Sequence, residues 1–227
     1  MSGFALKSLA VSVALLLPCF ASASTVDLVY EGGTSNGWVT ITSAPAGVAA
    51  GTLPWSVGAY GFNMTDTSGQ LGDITAWCLD ISHYLGSGQY ETTDTPFSNS
   101  YGLDVGSVAR VQALFDANFS SLLLGDAAQA AGFQMALWNA IYDTDWSAAT
   151  GIFSAIDGTA GAQAMADSFL LAAQTYVGGH RYDMTFLESL RGSQNLVTVA
   201  PIPLPATALL LLAGLGGLGA LRRRRPV

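Results

Sequence analysis

Cys78 constrains this chain most, because nothing in the folded part can pair with it. The other cysteine, Cys19, lies in an N-terminal targeting segment, residues 1–23. Lys7 supplies its positive start, Leu9 to Leu17 its apolar run, and Ala21-Ser22-Ala23 a small-residue cleavage site. Cleavage before Ser24 removes Cys19. Read instead as a lipid-acylation site, Cys19 follows Pro18 where a small residue is expected. An exported protein normally uses cysteines in pairs. A lone thiol has four fates: inert core filler, intermolecular disulfide, enzyme nucleophile, or covalent partner of a group other than sulfur.

The residues around Gln134 point to the last. Gln134, Leu137, Trp138 and Ile141 fall at i, i+3, i+4 and i+7, one face of an α-helix. The glutamine therefore lies on an apolar stripe, and Trp138 leans back over the turn that carries it. A buried side-chain amide without partners costs about 1–3 kcal/mol. Ordinary hydrogen bonding is one solution. Consuming the amide is another: the Cys78 thiolate attacks the Gln134 carboxamide, ammonia leaves, and a thioester remains. The indole and the leucine beside it would shield that bond from water.

Two motifs carry a resemblance. Trp77-Cys78-Leu79-Asp80 resembles the apolar-Cys-apolar-Asp motif of the internal Cys–Gln thioester domains of bacterial surface proteins. Phe133-Gln134-Met135-Ala136-Leu137-Trp138 resembles their apolar-Gln-x-x-apolar-Trp motif. The resemblance implies that Cys78 and Gln134 form the bond, shielded by Trp77, Leu137 and Trp138. It implies a single-turnover module that acylates amines on a target surface, without a cofactor and without enzymatic turnover. The Cys-to-Gln separation is shorter here than in the Gram-positive adhesins of that group.

Charge excludes other partners. All 16 acids lie between Asp27 and Glu188, and between Ser24 and Ala200 the only basic residues apart from histidine are Arg110, Arg181 and Arg191, with no lysine. Nucleic acid is thereby excluded, since binding it needs cationic neutralisation of phosphates. The acidity suits a soluble face in salt or in an acidic matrix. Asp66 to Asp73 and Asp143 to Asp145 are acidic enough to suggest calcium, but the EF-hand pattern is absent.

The expected architecture is α+β: short strands in a sheet or sandwich, an inserted part of about three helices, and one C-terminal transmembrane helix. Strands are expected over 26–30, 38–42, 57–64 and 73–81, the last with Cys78 in it or at its end. Residues 85–101 read as loop with room for a hairpin strand. Asp104 caps a helix to Leu124 with Val108, Val111, Phe115, Phe119 and Leu122 at helical spacing. Gly125-Asp126 recaps the chain for the glutamine helix, 127–142. A linker follows over 143–159, anchored by Trp146 and Phe153. A third helix spans 161–176 with Met165, Phe169, Ala172 and Tyr176 on one side, stopped by Gly178-Gly179. Closing strands are expected over 181–187 and 195–199. The folded domain is thus 24–199.

Residues 200–227 form the other targeting element. Pro201, Pro203 and Pro205 precede an apolar run ending at Leu221, then Arg222, Arg223, Arg224 and Arg225. A helix over 202–221 rises about 30 Å, one hydrocarbon core. The arginines stay cytoplasmic by the positive-inside rule, leaving the acidic domain outside. The plain reading is a membrane anchor. The arrangement also resembles the PEP-CTERM sorting signal of Gram-negative bacteria, in a variant where Pro203-Leu204-Pro205-Ala206 lacks the glutamate. That resemblance implies an exosortase-type protease as a partner, an inner-membrane stage before processing, and a final place at the cell surface or in an extracellular matrix.

Plainer readings stand beside these. Cys78 and Gln134 suit a packed thiol and a hydrogen-bonded core amide. Asp80 either orients the cysteine loop and polarises an incoming amine or is an exposed strand-end acid. A structural matrix protein with no reactive chemistry explains the acidity and the sorting signal equally well. A thiol hydrolase would need His83 or His180 beside Cys78. In a continuous strand His83 falls on the opposite face from Cys78, and His180 merely follows the Gly-Gly turn.

Overall fold

The computed structural model describes residues 24–93 and 103–203. Alternation sets its strands. β1 (Ser24–Gly33) buries Val26 and Leu28 and exposes Thr25, Asp27 and Val29 in alternation with them. β2 is Trp38–Ser43, β3 Trp55–Gly58, β4 Phe62–Asp66, β5 Asp73–Cys78, β6 Gly88–Thr93, β7 Ser154–Asp157, β8 Tyr182–Ser189 and β9 Leu196–Pro201. Six of them close a barrel in the order β1-β4-β5-β9-β8-β6, all neighbours antiparallel. The others form a separate sheet in the order β3-β2-β7. The α+β class is as expected, but the main sheet closes on itself, which removes its edges.

Two strand expectations are corrected. The run 57–64 is two strands in two sheets, because the chain crosses over at Tyr60-Gly61. A Cβ at Gly61 would lie 3.0 Å from Thr75 Cγ2 and 3.1 Å from the Trp77 ring, so a glycine lets the crossing pass close to β5. The linker 143–159 contains β7, whose Ala155 and Ile156 pair with Ile41 and Thr40. Four residues carry too little alternation to announce a strand; pairing with β2 imposes it.

Helix α1 (Val105–Asn118) starts where Asp104 accepts from the Ser107 N–H at 2.6 Å. A short 3-10 turn, Phe119–Ser121, ends it. Helix α2 (Ala127–Tyr142) starts where Asp126 accepts from the Gln129 N–H at 2.9 Å. Every residue of α2 from Ala130 to Tyr142 is buried. The expected apolar stripe is there, but the helix is covered all round, as an Ala-rich helix in the middle of a layer must be. Helix α3 (Ala162–Gln174) buries Ala162, Ala166, Leu170 and Ala173. Its expected face was Met165, Phe169, Ala172 and Tyr176. The helix is instead rolled toward its small residues, because α2 approaches closely: a Cβ at Gly132 would sit 2.5 Å from Met165 Cβ and 2.8 Å from Ala162 O.

Asp66 closes the β4–β5 turn. Its Oδ1 accepts from the Ser68 N–H at 2.8 Å and the Ser68 hydroxyl at 2.6 Å, and its Oδ2 from the Gln70 and Leu71 N–H groups, each at 2.8 Å. Burial acts to raise its pKa, but the four donors outweigh it and bring the carboxyl to about 2. A folded-state pKa below the unfolded one stabilises above the unfolded value, about 4, and that share is lost as pH falls through about 2. Asp66→Ala should therefore lower stability at pH 7 by about 1–2 kcal/mol. The gap to wild type should narrow as pH falls from 4 toward 2, read by urea unfolding.

The targeting segment 1–23 and the helix expected over 202–221 fall outside the described residues. Among the described residues no helix is long and apolar enough to cross a membrane.

Candidate functional site

Cys78 is the last residue of β5, and the β5–β9 ladder decides what meets it. Cys78 pairs with Leu196, and the Leu79 N–H continues to Asn195 O at 2.9 Å. Paired residues project to the same side of a sheet, and so do residues two apart along a strand. Gln194 therefore comes up over Cys78 from the β8–β9 turn. The Cys78 thiol donates to Gln194 Oε1, and Gln194 Nε2 donates to the Asp80 carbonyl. Gln194 is 7% exposed and Cys78 3%, so the two meet almost out of water.

Gln134 reaches Cys78 differently. From α2 its Oε1 accepts from the Cys78 N–H at 3.0 Å, and its Nε2 donates to the Cys78 carbonyl at 2.8 Å. The side-chain amide stands in for a neighbouring strand and pairs both main-chain groups of Cys78. Cys78 and Gln134 are thus brought together, through the cysteine's backbone and not its sulfur.

Asp80 is 2% exposed, so it is no exposed strand-end acid. Its Oδ2 accepts from the Asn195 N–H at 2.8 Å. Its Oδ1 accepts from the Ser82 N–H at 3.1 Å, the Ser82 hydroxyl at 3.0 Å and the His83 N–H at 3.0 Å, and lies 3.2 Å from His83 Nδ1. One buried carboxylate thereby ties the segment after Cys78 to the segment that carries Gln194. Burial pushes the Cys78 thiol well above its ordinary pKa, and the nearby Asp80 charge adds to the rise.

A cleft of about 570 Å³ opens beside Cys78. Trp138, Gln194 and His83 line it, with aromatic walls from Tyr30, Trp55, Tyr60 and Tyr84. Trp138 lines the cleft together with Cys78 and Gln194. Its indole Nε1 is buried and has no hydrogen-bond partner among the described residues. Trp77 and Leu137 are fully buried but do not line the cleft. Trp77 lies one residue before Cys78, so alternation turns it to the other side, where its ring sits 4.7 Å from that of Phe133.

His83 shares the cleft with Cys78, because β5 ends at Cys78 and the chain turns around Asp80 instead of running on as a strand. The opposite-face expectation is corrected for that reason. His180 is elsewhere, with Nδ1 3.2 Å from Asp116 Oδ2. Gln194 and Asn195 were missed in the sequence. They lie in a polar turn with no periodicity to mark them.

The acidic stretches are occupied internally. Asp143 accepts from the N–H groups of Thr144 at 2.7 Å and Phe153 at 3.0 Å, and Asp145 from Asn139, Ser147 and Thr150. Among the described residues no three His, Cys, Asp or Glu side chains gather as a metal site. Of the sorting elements, Pro203 is the last described residue; Leu204, Pro205, Ala206 and Arg222 to Arg225 fall outside.

Residues 201–225 match the PEP-CTERM protein-sorting motif. No curated protein matches the chain. Among solved structures, the chain is similar to the N-terminal domain of the Streptococcus pyogenes pilus tip adhesin Cpa, with 13% identity and a TM-score of 0.42 over 74% of this chain and 95% of that one. It is similar to the N-terminal thioester domain of the fibronectin-binding protein SfbI from Streptococcus pyogenes, with 12% identity and a TM-score of 0.39 over 74% of this chain and 95% of that one. It is also similar to the Bacillus anthracis TIE protein, with 8% identity and a TM-score of 0.35 over 73% of this chain and 39% of that one.

Proposed function

We propose that this is an exported, adhesin-like protein of the cell envelope. It carries an internal Cys–Gln thioester that attaches it covalently to amine-bearing surface or matrix molecules. The observation that carries the reading is the contact between the Cys78 thiol and the Gln194 carboxamide in a nearly dry site. On this reading Gln194, whose carboxamide meets the sulfur, is the acyl donor in place of Gln134, which the motif suggested. Gln134 then acts as a positioning residue that holds the Cys78 backbone.

In this reading Cys78 Sγ adds to Gln194 Cδ, the Cδ–Nε2 bond breaks, and the thiol proton departs with the nitrogen as ammonia. The burial and the Asp80 charge that raise the thiol pKa also disfavour a free thiolate. A neutral thioester suits the same site better, which favours the closed form. An incoming amine then attacks Cδ, leaves an amide on Gln194, and returns the thiol. The absence of lysine between Ser24 and Ala200 protects the domain from acylating itself. Arginine is no substitute, because its guanidinium stays protonated.

The match over residues 201–225 supports export and processing by an exosortase-type protease. The membrane stage rests on the apolar run and Arg222 to Arg225.

A second reading, an unreactive matrix protein, is favoured by the same raised thiol pKa, since a buried neutral thiol is inert. One experiment separates the two. The freshly purified protein should weigh one ammonia less than the sequence of the same processed form, and methylamine should add its full mass at Gln194. A full-mass protein with a titratable thiol and no adduct would reject the thioester.

A further inference from the structure

We propose that His83, held by Asp80, is the base that lets this site transfer its acyl group to carbohydrate hydroxyls as well as to amines. The proposal rests on the Cys78–Gln194 thioester and concerns what the cleft does with it. An unprotonated amine attacks a thioester without help. A hydroxyl must lose its proton as it attacks, so a positioned base matters far more for it.

The cleft supplies one. His83 is about one-third exposed and lines the same cleft as Cys78 and Gln194. Its Nδ1 lies 3.2 Å from Asp80 Oδ1 and 2.9 Å from Ser82 Oγ. A carboxylate can only accept, so Nδ1 carries the hydrogen toward Asp80 and Nε2 is left as the acceptor. Nε2 has no hydrogen-bond partner among the described residues. Asp80 is already fixed by Asn195, Ser82 and the His83 main chain, so the imidazole is held in one orientation. The titratable groups that share the cleft with His83 are Cys78 at the end of β5, Tyr30 on β1, Tyr60 before β4, and Tyr84 beside it; no arginine lines it.

The walls fit a sugar. Trp55 and Tyr84 meet edge to face with centroids 6.1 Å apart, and Tyr84 is 70% exposed at the mouth. Aromatic faces beside phenolic hydroxyls offer a pyranose both a surface to stack on and hydrogen-bond partners. The step balances. The acceptor oxygen bonds to Gln194 Cδ, the Cδ–Sγ bond breaks, and the hydroxyl proton passes to His83 Nε2 and then to Cys78 sulfur. The products are an ester and a free thiol.

The test uses full-length protein carrying the thioester, verified by the missing ammonia, with glycerol and then a disaccharide as acceptors. Wild type should form the ester with both acceptors at pH 7. His83→Gln, at the same missing-ammonia mass, should transfer to glycerol at pH 7 about 100-fold more slowly while its transfer to methylamine stays near wild type. Equal glycerol rates for the two proteins would overturn the role of His83 and leave the thioester standing. A variant that never loses ammonia would also overturn it, by placing His83 in bond formation instead of transfer. Wild type at full mass would overturn both this proposal and the thioester.

Discussion

Gln194→Ala should purify at its full sequence mass with Cys78 free, while Gln134→Ala should still lose ammonia in whatever fraction folds. The two glutamines touch the same cysteine through different atoms. Gln194 presents its carboxamide to sulfur, and its nitrogen, the leaving group, is held by the Asp80 carbonyl. Gln134 spends both ends of its amide on the Cys78 N–H and C=O. Removing it orphans two buried main-chain groups, each worth about 1–3 kcal/mol, so Gln134→Ala should cost about 3 kcal/mol. For a domain of this size that is a fall of about 10 °C in Tm. Intact mass and thermal unfolding of both variants decide the matter. The reverse pattern, a light Gln194→Ala and a full-mass Gln134→Ala, would return the acyl role to Gln134.

Asp80 should show the largest loss of stability in the site. Asp80→Ala removes the acceptor for the Asn195, Ser82 and His83 N–H groups. These lie in a nearly closed site, and the expected cost is about 4 kcal/mol by denaturant unfolding. Asp80→Asn keeps the shape and removes the charge. The thiol is raised first by burial and second by Asp80, so Asn should lower its pKa only part of the way. In a Gln194→Ala background, where the thiol is free, iodoacetamide should alkylate Cys78 faster at pH 8 in the Asp80→Asn double variant. Equal rates would mean that the carboxylate does not act on the sulfur.

The helices were legible in the sequence because local chemistry settles them. Asp104 and Asp126 cap α1 and α2 where a side-chain acceptor precedes an apolar repeat. Cys78 at the end of a strand and Gln134 on a buried helix were legible for the same reason. The buried face of α3 was not. The stripe of Ala162, Ala166, Leu170 and Ala173 won over the bulkier one of Met165, Phe169, Ala172 and Tyr176 because the backbone of α2 comes close at Gly132, and helical periodicity alone cannot tell which of two adjacent stripes a neighbour will cover.

By itself, the sequence determined the match to a sorting motif at its C-terminal end, the solitary thiol between Ser24 and Ala200, the lysine-free acidic stretch, and the aspartate caps that start α1 and α2. Those follow from residue type and short spacing. Only the tertiary structure decided which glutamine meets the sulfur. Gln194 lies 116 positions from Cys78 and arrives through one register, Cys78 opposite Leu196, in the closure of the barrel. It also decided that His83 shares the cleft, because the strand stops at Cys78 and a buried carboxylate folds the chain back. Register and strand ends are set by the cooperative closure of six strands, and no short window of residues contains that information.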